Sequence, residues 1–444
     1  SSHFGCAPAY GFFSGCRMSL WPPQGWRRVA YLLLWAGAGA GETCLKDDLI
    51  AELPSYACYL HPSPPRKAES PANVRVYNTF SETMTIYWDN GTPEGVYSGF
   101  VEPGRPMTTT SYVTHRFNFV SQATKKKVAS VTIQKNKPYY FIGPGKVTKD
   151  MSKDLRKRVA WAVDFVKYAD EYFAKTGKPF LGDYPPQPVR HPFLKAEYVG
   201  QTYNVTLENG HWDCGDAKTC GNEPLELKVV VASVSPRVLI TDNFLHESER
   251  KLVKLKGKLG HASVGDGKNS YESNTRRSEV GWLGWKEPWL SRILARTAEL
   301  LGFGFEELQN GLAEQLQIAA YKSRGIYNAH HDFGDRPFDR MLTFLHYIEP
   351  AEQEGATSFP LAFGGKGLKV NAEPGTSILF YSFLPDGNKD DLSIHEAMEV
   401  VKGHKTVCNS WIHDRSAYYE KVGYKELDLK HAHFEVTDTA ELEL

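Results

Sequence analysis

Tyr327-Asn328-Ala329-His330-His331-Asp332-Phe333 is the stretch on which the reading of this chain turns. It reads as extended, and on a strand only residues two apart share a face, so His330 and Asp332 project together while His331 points away. A third side chain of ligand type, His395, lies further along. Two imidazoles and one carboxylate bind Fe(II) on one side of the metal and leave the opposite side open for a co-substrate and O2. Lys405 follows ten residues after His395.

Outward from there, Lys405, Val407, Asn409, Trp411 and His413 share one parity and, on a single strand, project to one side. Cys408 then faces the other way, as a small buried hydrophobe rather than a catalytic thiol. Trp411 has two readings, lining a cavity or packing as core material. His346 and His413 are read as structural histidines.

Tyr321, Arg340-Met341-Leu342-Thr343, Ala356-Thr357-Ser358-Phe359-Pro360 and Gly403-His404-Lys405-Thr406 surround these residues in a fixed order. This pattern resembles the prolyl 4-hydroxylase family of Fe(II)- and 2-oxoglutarate-dependent oxygenases, over about Ser235 to Ser416. The resemblance implies His330, Asp332 and His395 as iron ligands, and Lys405 as the cation for the distal carboxylate of 2-oxoglutarate. It implies Tyr321 and Thr343 as hydroxyl donors to that carboxylate, and Trp411 beside the co-substrate. Arg276-Arg277-Ser278 is expected as a mobile loop closing over an extended, Pro-rich peptide, whose polyproline II shape is preformed. The implied reaction converts proline to 4-hydroxyproline while 2-oxoglutarate is decarboxylated to succinate, with O2 as oxidant and L-ascorbate as rescuing reductant. A lysyl or other 2-oxoglutarate-dependent hydroxylase is the nearest alternative. A non-catalytic hydroxyproline-binding module is a further one, disfavoured by the complete ligand set.

The order of elements, helices near Asp242 or Asn243 and at Pro288 to Leu301 followed by strands, suits a double-stranded β-helix, or jelly roll, with buttressing helices. The fold class is therefore mainly β, with this catalytic domain at 235–420 preceded by a β-rich segment at 191–234, a helical connector at 146–190 and a small β-sandwich at 71–145. Within the connector, Leu155, Val159, Ala162, Val166, Ala169 and Phe173 recur at helical spacing, which predicts an amphipathic helix from Lys149 to Lys175. The prolines of Asp183-Tyr184-Pro185-Pro186-Gln187-Pro188 favour an extended connector after it.

Val74 to Phe141 alternates apolar and polar residues between turns at Asp89-Asn90-Gly91 and Glu102-Pro103-Gly104, the pattern of an antiparallel β-sandwich. The run through Trp88, Tyr97, Pro103-Gly104, Ser111-Tyr112 and His115-Arg116-Phe117 is similar to the β domain of the von Hippel-Lindau family. That resemblance implies a hydroxyproline pocket at Trp88, Tyr97, Ser111, His115 and Phe117, with Phe117 departing from the family's Trp. The favoured reading is the plainer one, in which Trp88, Tyr97 and Phe117 are sandwich core and the domain merely orients its neighbour.

At 444 residues, with 41% hydrophobic and 23% charged side chains, the chain is globular and too long for one average domain. Lys+Arg and Asp+Glu are equal at 52 each, so no global field favours nucleic acid or an anionic membrane. Residues 1–41 read as a leader with a secretory signal: Trp26-Arg27-Arg28, an apolar run from Val29 to Trp35 too short to span a bilayer, then Ala36-Gly37-Ala38-Gly39-Ala40. A linker is expected at 42–70 and a tail at 421–444. Cys44 with Cys58 and Cys214 with Cys220 are the simplest disulfides, and zinc at Cys214 and Cys220 is the rival for the second pair. Asn90-Gly91-Thr92 and Asn204-Val205-Thr206 are glycosylation acceptors in a secretory setting. The last two residues match luminal retrieval signals, so residence in the endoplasmic reticulum lumen is expected, with no stable membrane span.

Overall fold

The computed structural model describes residues 53–59, 72–186, 192–262, 276–334, 339–414 and 434–436, all within the unit spanning residues 44–444. The expected leader, the Cys44 half of the first disulfide, and the tail apart from the strand Phe434–Val436 lie outside these residues. No helix among the described residues is long and apolar enough to cross a membrane.

Two sheets form the jelly roll. The larger has nine strands, in the order Thr202–Leu207, Leu225–Ser233, Val238–Thr241, Ser377–Tyr381, Arg340–Glu349, Lys405–His413, Leu316–Tyr321, Glu279–Leu283 and Gly260–His261. The smaller has six, in the order Ala57–Tyr59, Leu368–Val370, Thr357–Phe359, His395–Ala397, Ile326–His330 and Arg276–Arg277. Alternation along each strand sends one set of side chains between the sheets and the other onto the helices. On the strand Lys405–His413, Val407 joins the core between the sheets, while Cys408 and Ile412 join the core beneath the helices.

The helix Pro288–Leu301 starts with Pro at its first turn and ends at Gly302, whose φ of 70° lies in the left-handed region that glycine tolerates. The expectation of a helix capped near Asp242 or Asn243 is corrected. That helix is Glu247–Lys256, capped by His246 in a reciprocal arrangement with Glu249. The carboxylate of Asp242 is instead taken by the hydroxyls of Tyr56 and Thr376. Arg296, fully buried on the helix Pro288–Leu301, ties the two helices by a 2.9 Å ion pair to the buried Glu249.

The expected 42–70 linker holds a surprise. Its strand Ala57–Tyr59 pairs antiparallel with Leu368–Val370 and completes the smaller sheet, with Leu53 and Ala57 buried in the core between the sheets.

The sandwich consists of a three-stranded sheet, Pro106–Ser111, Ala72–Asn78 and Tyr139–Ile142, and a four-stranded sheet, Val96–Val101, Met84–Trp88, Arg116–Ser121 and Lys127–Thr132. One pair, Ala72–Asn78 with Tyr139–Ile142, is parallel. The connector helix is Lys153–Thr176, starting later than Lys149 because the Ser152 side chain caps it by accepting from the Leu155 amide. Its buried face carries Leu155, Val159, Ala162, Phe165, Val166, Ala169 and Tyr172, whereas Phe173, expected on that face, is 36% exposed. Phe165 and Tyr172 share a core cluster with Tyr77 and Tyr139 of the sandwich.

Candidate functional site

His330 ends the strand Ile326–His330 and is the cross-strand partner of His395, which opens the strand His395–Ala397. Asp332 follows just beyond the strand end. Its Oδ1 lies 3.9 Å from His330 Nε2, and its Oδ2 lies 3.6 Å from His395 Nε2. Each imidazole uses its other nitrogen on a backbone carbonyl, His330 Nδ1 to Asn328 at 2.8 Å and His395 Nδ1 to Ser393 at 3.1 Å. A ring that donates from Nδ1 keeps the Nε2 lone pair for a metal, and such outer contacts fix ligand orientation. Burial lowers both imidazoles from the usual histidine range, which favours the neutral form a metal needs. His331 turns away and places Nε2 3.0 Å from the carbonyl of Asp391.

Asp332 is braced from one side. The Thr343 hydroxyl donates to its Oδ2 at 2.5 Å and the Trp411 indole N–H donates to the same oxygen at 3.0 Å. Burial would raise this carboxyl, but the facing imidazoles, Arg340 and the Thr343 hydroxyl outweigh it and hold the group below the usual carboxylate range. Arg340 in turn lies 3.5 Å from the Trp411 ring centroid and pairs with both carboxylate oxygens of Glu314, at 2.5 and 2.9 Å. Thr343 and Trp411 are themselves cross-strand partners. The expected contact of Thr343 with the co-substrate carboxylate is therefore corrected: its hydroxyl is committed to the metal-facing carboxylate. Trp411 lines the cavity as one of its two readings had it, with its polar edge on Asp332.

The trio opens into a cavity of about 520 Å³ between the two sheets, and Lys405, Val407, Asn409, Trp411 and His413 all line it, as their shared parity predicts. Lys405 is 1% exposed. Its Nζ reaches the Thr357 hydroxyl at 3.4 Å and sits 5.6 and 5.0 Å from the ring centroids of Tyr321 and Tyr347, and no carboxylate pairs with it among the described residues. Burial without a counter-charge pulls its ammonium down to about 7. Tyr321 is its cross-strand partner and is buried, in keeping with the expected proximity. Thr357, on the strand Thr357–Phe359, takes the place expected of Thr343 and also bonds the Tyr347 hydroxyl at 2.7 Å. Its signal was present in Ala356-Thr357-Ser358-Phe359-Pro360, where alternation puts Thr357 and Phe359 on one face.

Of Arg276-Arg277-Ser278, expected as a loop, the first two residues form a strand. Arg276 and Arg277 pair antiparallel with Tyr327 and Ile326 at the end of the smaller sheet. Arg276 turns into the cavity, its guanidinium 4.6 Å from the Tyr327 ring centroid, and the Tyr327 ring stacks on His330 at 3.7 Å. Arg277 is exposed, and Ser278 is half-buried. Tyr327 and Glu314 also line the cavity and went unassigned in the sequence, where nothing but their nearness to His330 and the strand Leu316–Tyr321 marked them. His413, in the cavity lining, pairs with Glu314 at 3.3 Å, and the buried His346 bonds Ser377 Oγ through Nδ1 at 2.8 Å, partners that the sequence did not name.

In the sandwich, Ser111 Oγ lies 3.0 Å from His115 Nδ1, and the His115 and Trp88 rings are 5.3 Å apart. The buried Trp88 indole N–H has no hydrogen-bond partner among the described residues. Phe117 is buried in the sandwich core, and Tyr97 is 63% exposed against Tyr87. Of the three aromatic positions, Phe117 is core, Trp88 is half-buried and packs against that core, and Tyr97 stands outside it; Ser111 is buried. Elsewhere, Cys214 and Cys220 form a disulfide, the first of the two readings for that pair.

Residues 316–413 match the family model of the 2OG-Fe(II) oxygenase superfamily. The chain is 32% identical over 201 residues to prolyl 4-hydroxylase subunit alpha-1 of Gallus gallus, covering 42% of this chain and 37% of that protein. It is 29% identical over 209 residues to prolyl 4-hydroxylase 1 of Arabidopsis thaliana, covering 43% of this chain and 73% of that one. The chain thus spans little more than a third of the length of the animal alpha subunits it matches. Among solved structures, a viral collagen prolyl hydroxylase from Paramecium Bursaria Chlorella virus-1 aligns at 25% identity over 40% of this chain and 95% of that one, with a TM-score of 0.31.

Proposed function

Since residues 316–413 match the 2OG-Fe(II) oxygenase superfamily and the surrounding sequence is similar to prolyl 4-hydroxylases, we propose that this chain hydroxylates C4 of proline in Pro-rich proteins of the secretory pathway. The observation that carries the reading is Lys405, a buried cation with no anionic partner among the described residues, facing the cavity into which His330, Asp332 and His395 converge. A buried charge without a partner is costly, and a dicarboxylate that enters far enough to meet it removes that cost.

His330, Asp332 and His395 would hold Fe(II), and the donor set suits that metal. Bound iron with 2-oxoglutarate supplies the oxidising power that inserts one oxygen atom of O2 into a C–H bond, the other passing to succinate. This chain's own groups bind and orient. The carbonyls of Asn328 and Ser393 fix the imidazole tautomers. Thr343 and Trp411 donate to Asp332 Oδ2, while Oδ1 faces His330 Nε2 and Arg340 Nη1, each at 3.9 Å, and would serve the metal. Lys405 and the Thr357 hydroxyl receive the distal carboxylate of 2-oxoglutarate, with Tyr321 beside them. Tyr327, Trp411 and Arg276 form the wall on which a proline ring and its peptide would rest, aromatic faces being suited to proline.

Residence in the endoplasmic reticulum lumen and dependence on L-ascorbate belong to the same proposal. The Cys214–Cys220 disulfide and the exposed acceptors Asn90 and Asn204 support an oxidising secretory setting. The sandwich would bind a hydroxyproline peptide through Ser111, His115 and Trp88, an idea supported by their juxtaposition and by the orphaned Trp88 donor.

The test is peptide-stimulated turnover of 2-oxoglutarate, with mass spectrometry of poly-proline, collagen-like and lysine-containing peptides. The expected result is one added oxygen on proline, lost in His395→Ala and Asp332→Ala. Oxygen added only to lysine, or retained turnover in His395→Ala, would overturn the proposal.

A further inference from the structure

The loop between the strand Ser377–Tyr381 and His395 carries two adjacent buried polar residues that face in opposite directions. Asn388, fully buried, points to the connector that follows the helix Lys153–Thr176. Its Oδ1 accepts the amides of Leu181 at 2.6 Å and Gly182 at 3.1 Å, and its Nδ2 donates to the Pro179 carbonyl at 2.9 Å. Two residues earlier, Asp386 accepts the Tyr172 hydroxyl of the same helix at 2.6 Å. Lys389, 4% exposed, points the other way. Its ammonium pairs with Asp339 at 2.6 Å and donates to the carbonyl of Gly334, two residues past Asp332, while Asp339 accepts the Gly334 amide at 2.8 Å. Further along the loop, the Asp391 carbonyl meets His331.

We propose that Asn388 and Lys389 form a clip through which the helical connector positions the two limbs of the metal site. One limb is His330 to Asp332, gripped by Lys389 and Asp391 from the loop. The other is His395, which the loop itself carries. Asn388 saturates three backbone groups of the connector, so the loop has one seating, and both limbs inherit it. The fit is close on the backbone side as well, since a Cβ at Gly182 would meet the Gly387 carbonyl at 3.2 Å. Asn388 and Lys389 are positioning residues, as neither lines the cavity. The consequence is that a change at the connector, remote from the iron ligands in sequence, alters metal affinity.

The inference rests on the reading of the trio as a metal site. It is tested on the full chain by titrating Co(II) into metal-free protein and following the visible absorption bands, for wild type, Asn388→Ala and Tyr172→Phe. Partners that orient metal ligands change affinity by roughly 10–100-fold when removed. Asn388→Ala is expected to bind Co(II) roughly tenfold more weakly with altered bands, and Tyr172→Phe to shift the same way by a smaller factor with unchanged thermal unfolding of the metal-free chain. Affinity and bands indistinguishable from wild type in both variants would overturn the clip, because a merely structural role lowers stability without changing the metal environment of the folded protein. If Asn388→Ala does not fold, Tyr172→Phe decides by the same criterion. Failure of the wild type to bind Co(II) would instead remove the metal reading itself.

Discussion

The indole N–H of Trp411 and the hydroxyl of Thr343 converge on one oxygen of Asp332, and the two donors are cross-strand neighbours. This makes the carboxylate's orientation a property of the larger sheet, although Asp332 itself follows a strand of the smaller one. Trp411→Phe keeps the ring and removes the donor. Metal affinity is expected to fall by about tenfold, within the range for partners that orient metal ligands. Titration with Co(II) reads this directly, and wild-type affinity would show that Thr343 alone suffices.

Lys405 yields a pH dependence whose sign can be worked out. Its ammonium is pulled down to about 7 by burial in the free protein, and a bound carboxylate would raise it again. Above about 7, binding of 2-oxoglutarate must therefore take up a proton, so affinity is expected to weaken with rising pH by up to about tenfold per unit. Calorimetry on the metal-loaded protein across this window measures it, and Lys405→Met should bind weakly with a flat profile. Stability in the absence of 2-oxoglutarate runs the other way. An unfolded lysine titrates near 10.4, so between about 7 and 10.4 the unfolded chain binds more protons and stability rises with pH, by roughly 1.4 kcal/mol per unit. Below that window the cost of the buried charge is fully present, and Lys405→Met should remove the slope.

The Ser111–His115 pair tests the sandwich. A hydroxylated proline ring can exchange hydrogen bonds with this pair, whereas plain proline leaves Ser111 and His115 bonded only to each other and forgoes that exchange, a net hydrogen bond being worth about 0.5–1.5 kcal/mol. Calorimetry with matched hydroxyproline and proline peptides should show that preference in the full chain and its loss in Ser111→Ala. Indistinguishable affinities would leave the sandwich as a scaffold.

The residues that the sequence reveals well are those where a regular strand lets parity decide. Lys405 through His413 alternate cleanly, and the face they share is the cavity wall. Parity says nothing about depth along a strand: Thr343 sits opposite Trp411, whereas Tyr321 lies opposite Lys405. The hydroxyl beside Lys405 comes from Thr357 in the other sheet, a juxtaposition that strand order creates and local pattern cannot show. Arg276 and Arg277 read as loop because two charged residues lack the apolar alternation of a strand; their pairing with Tyr327 and Ile326 comes from the partner. His246 is not legible as a cap because Asp242 is the better capping residue by type, yet Asp242 is engaged by Tyr56 and Thr376.

The strand Ala57–Tyr59 gives the sandwich an unusual standing in the chain. Because the smaller sheet begins before the sandwich and the rest of both sheets comes after it, the sandwich is an insertion within the oxygenase fold, entered from one sheet edge and left through the connector helix. A fragment starting at Ser235 would uncover the backbone of Leu368–Val370 and create an open edge able to recruit foreign strands. The smallest autonomous oxygenase therefore includes residues on both sides of the sandwich. On its C-terminal side the sandwich packs Tyr77 and Tyr139 against Phe165 and Tyr172 of the connector helix, and the Tyr172 hydroxyl in turn bonds Asp386, so a peptide bound to the sandwich would be presented from a direction that this helix sets, and spacing along a substrate would become the variable that the architecture can select.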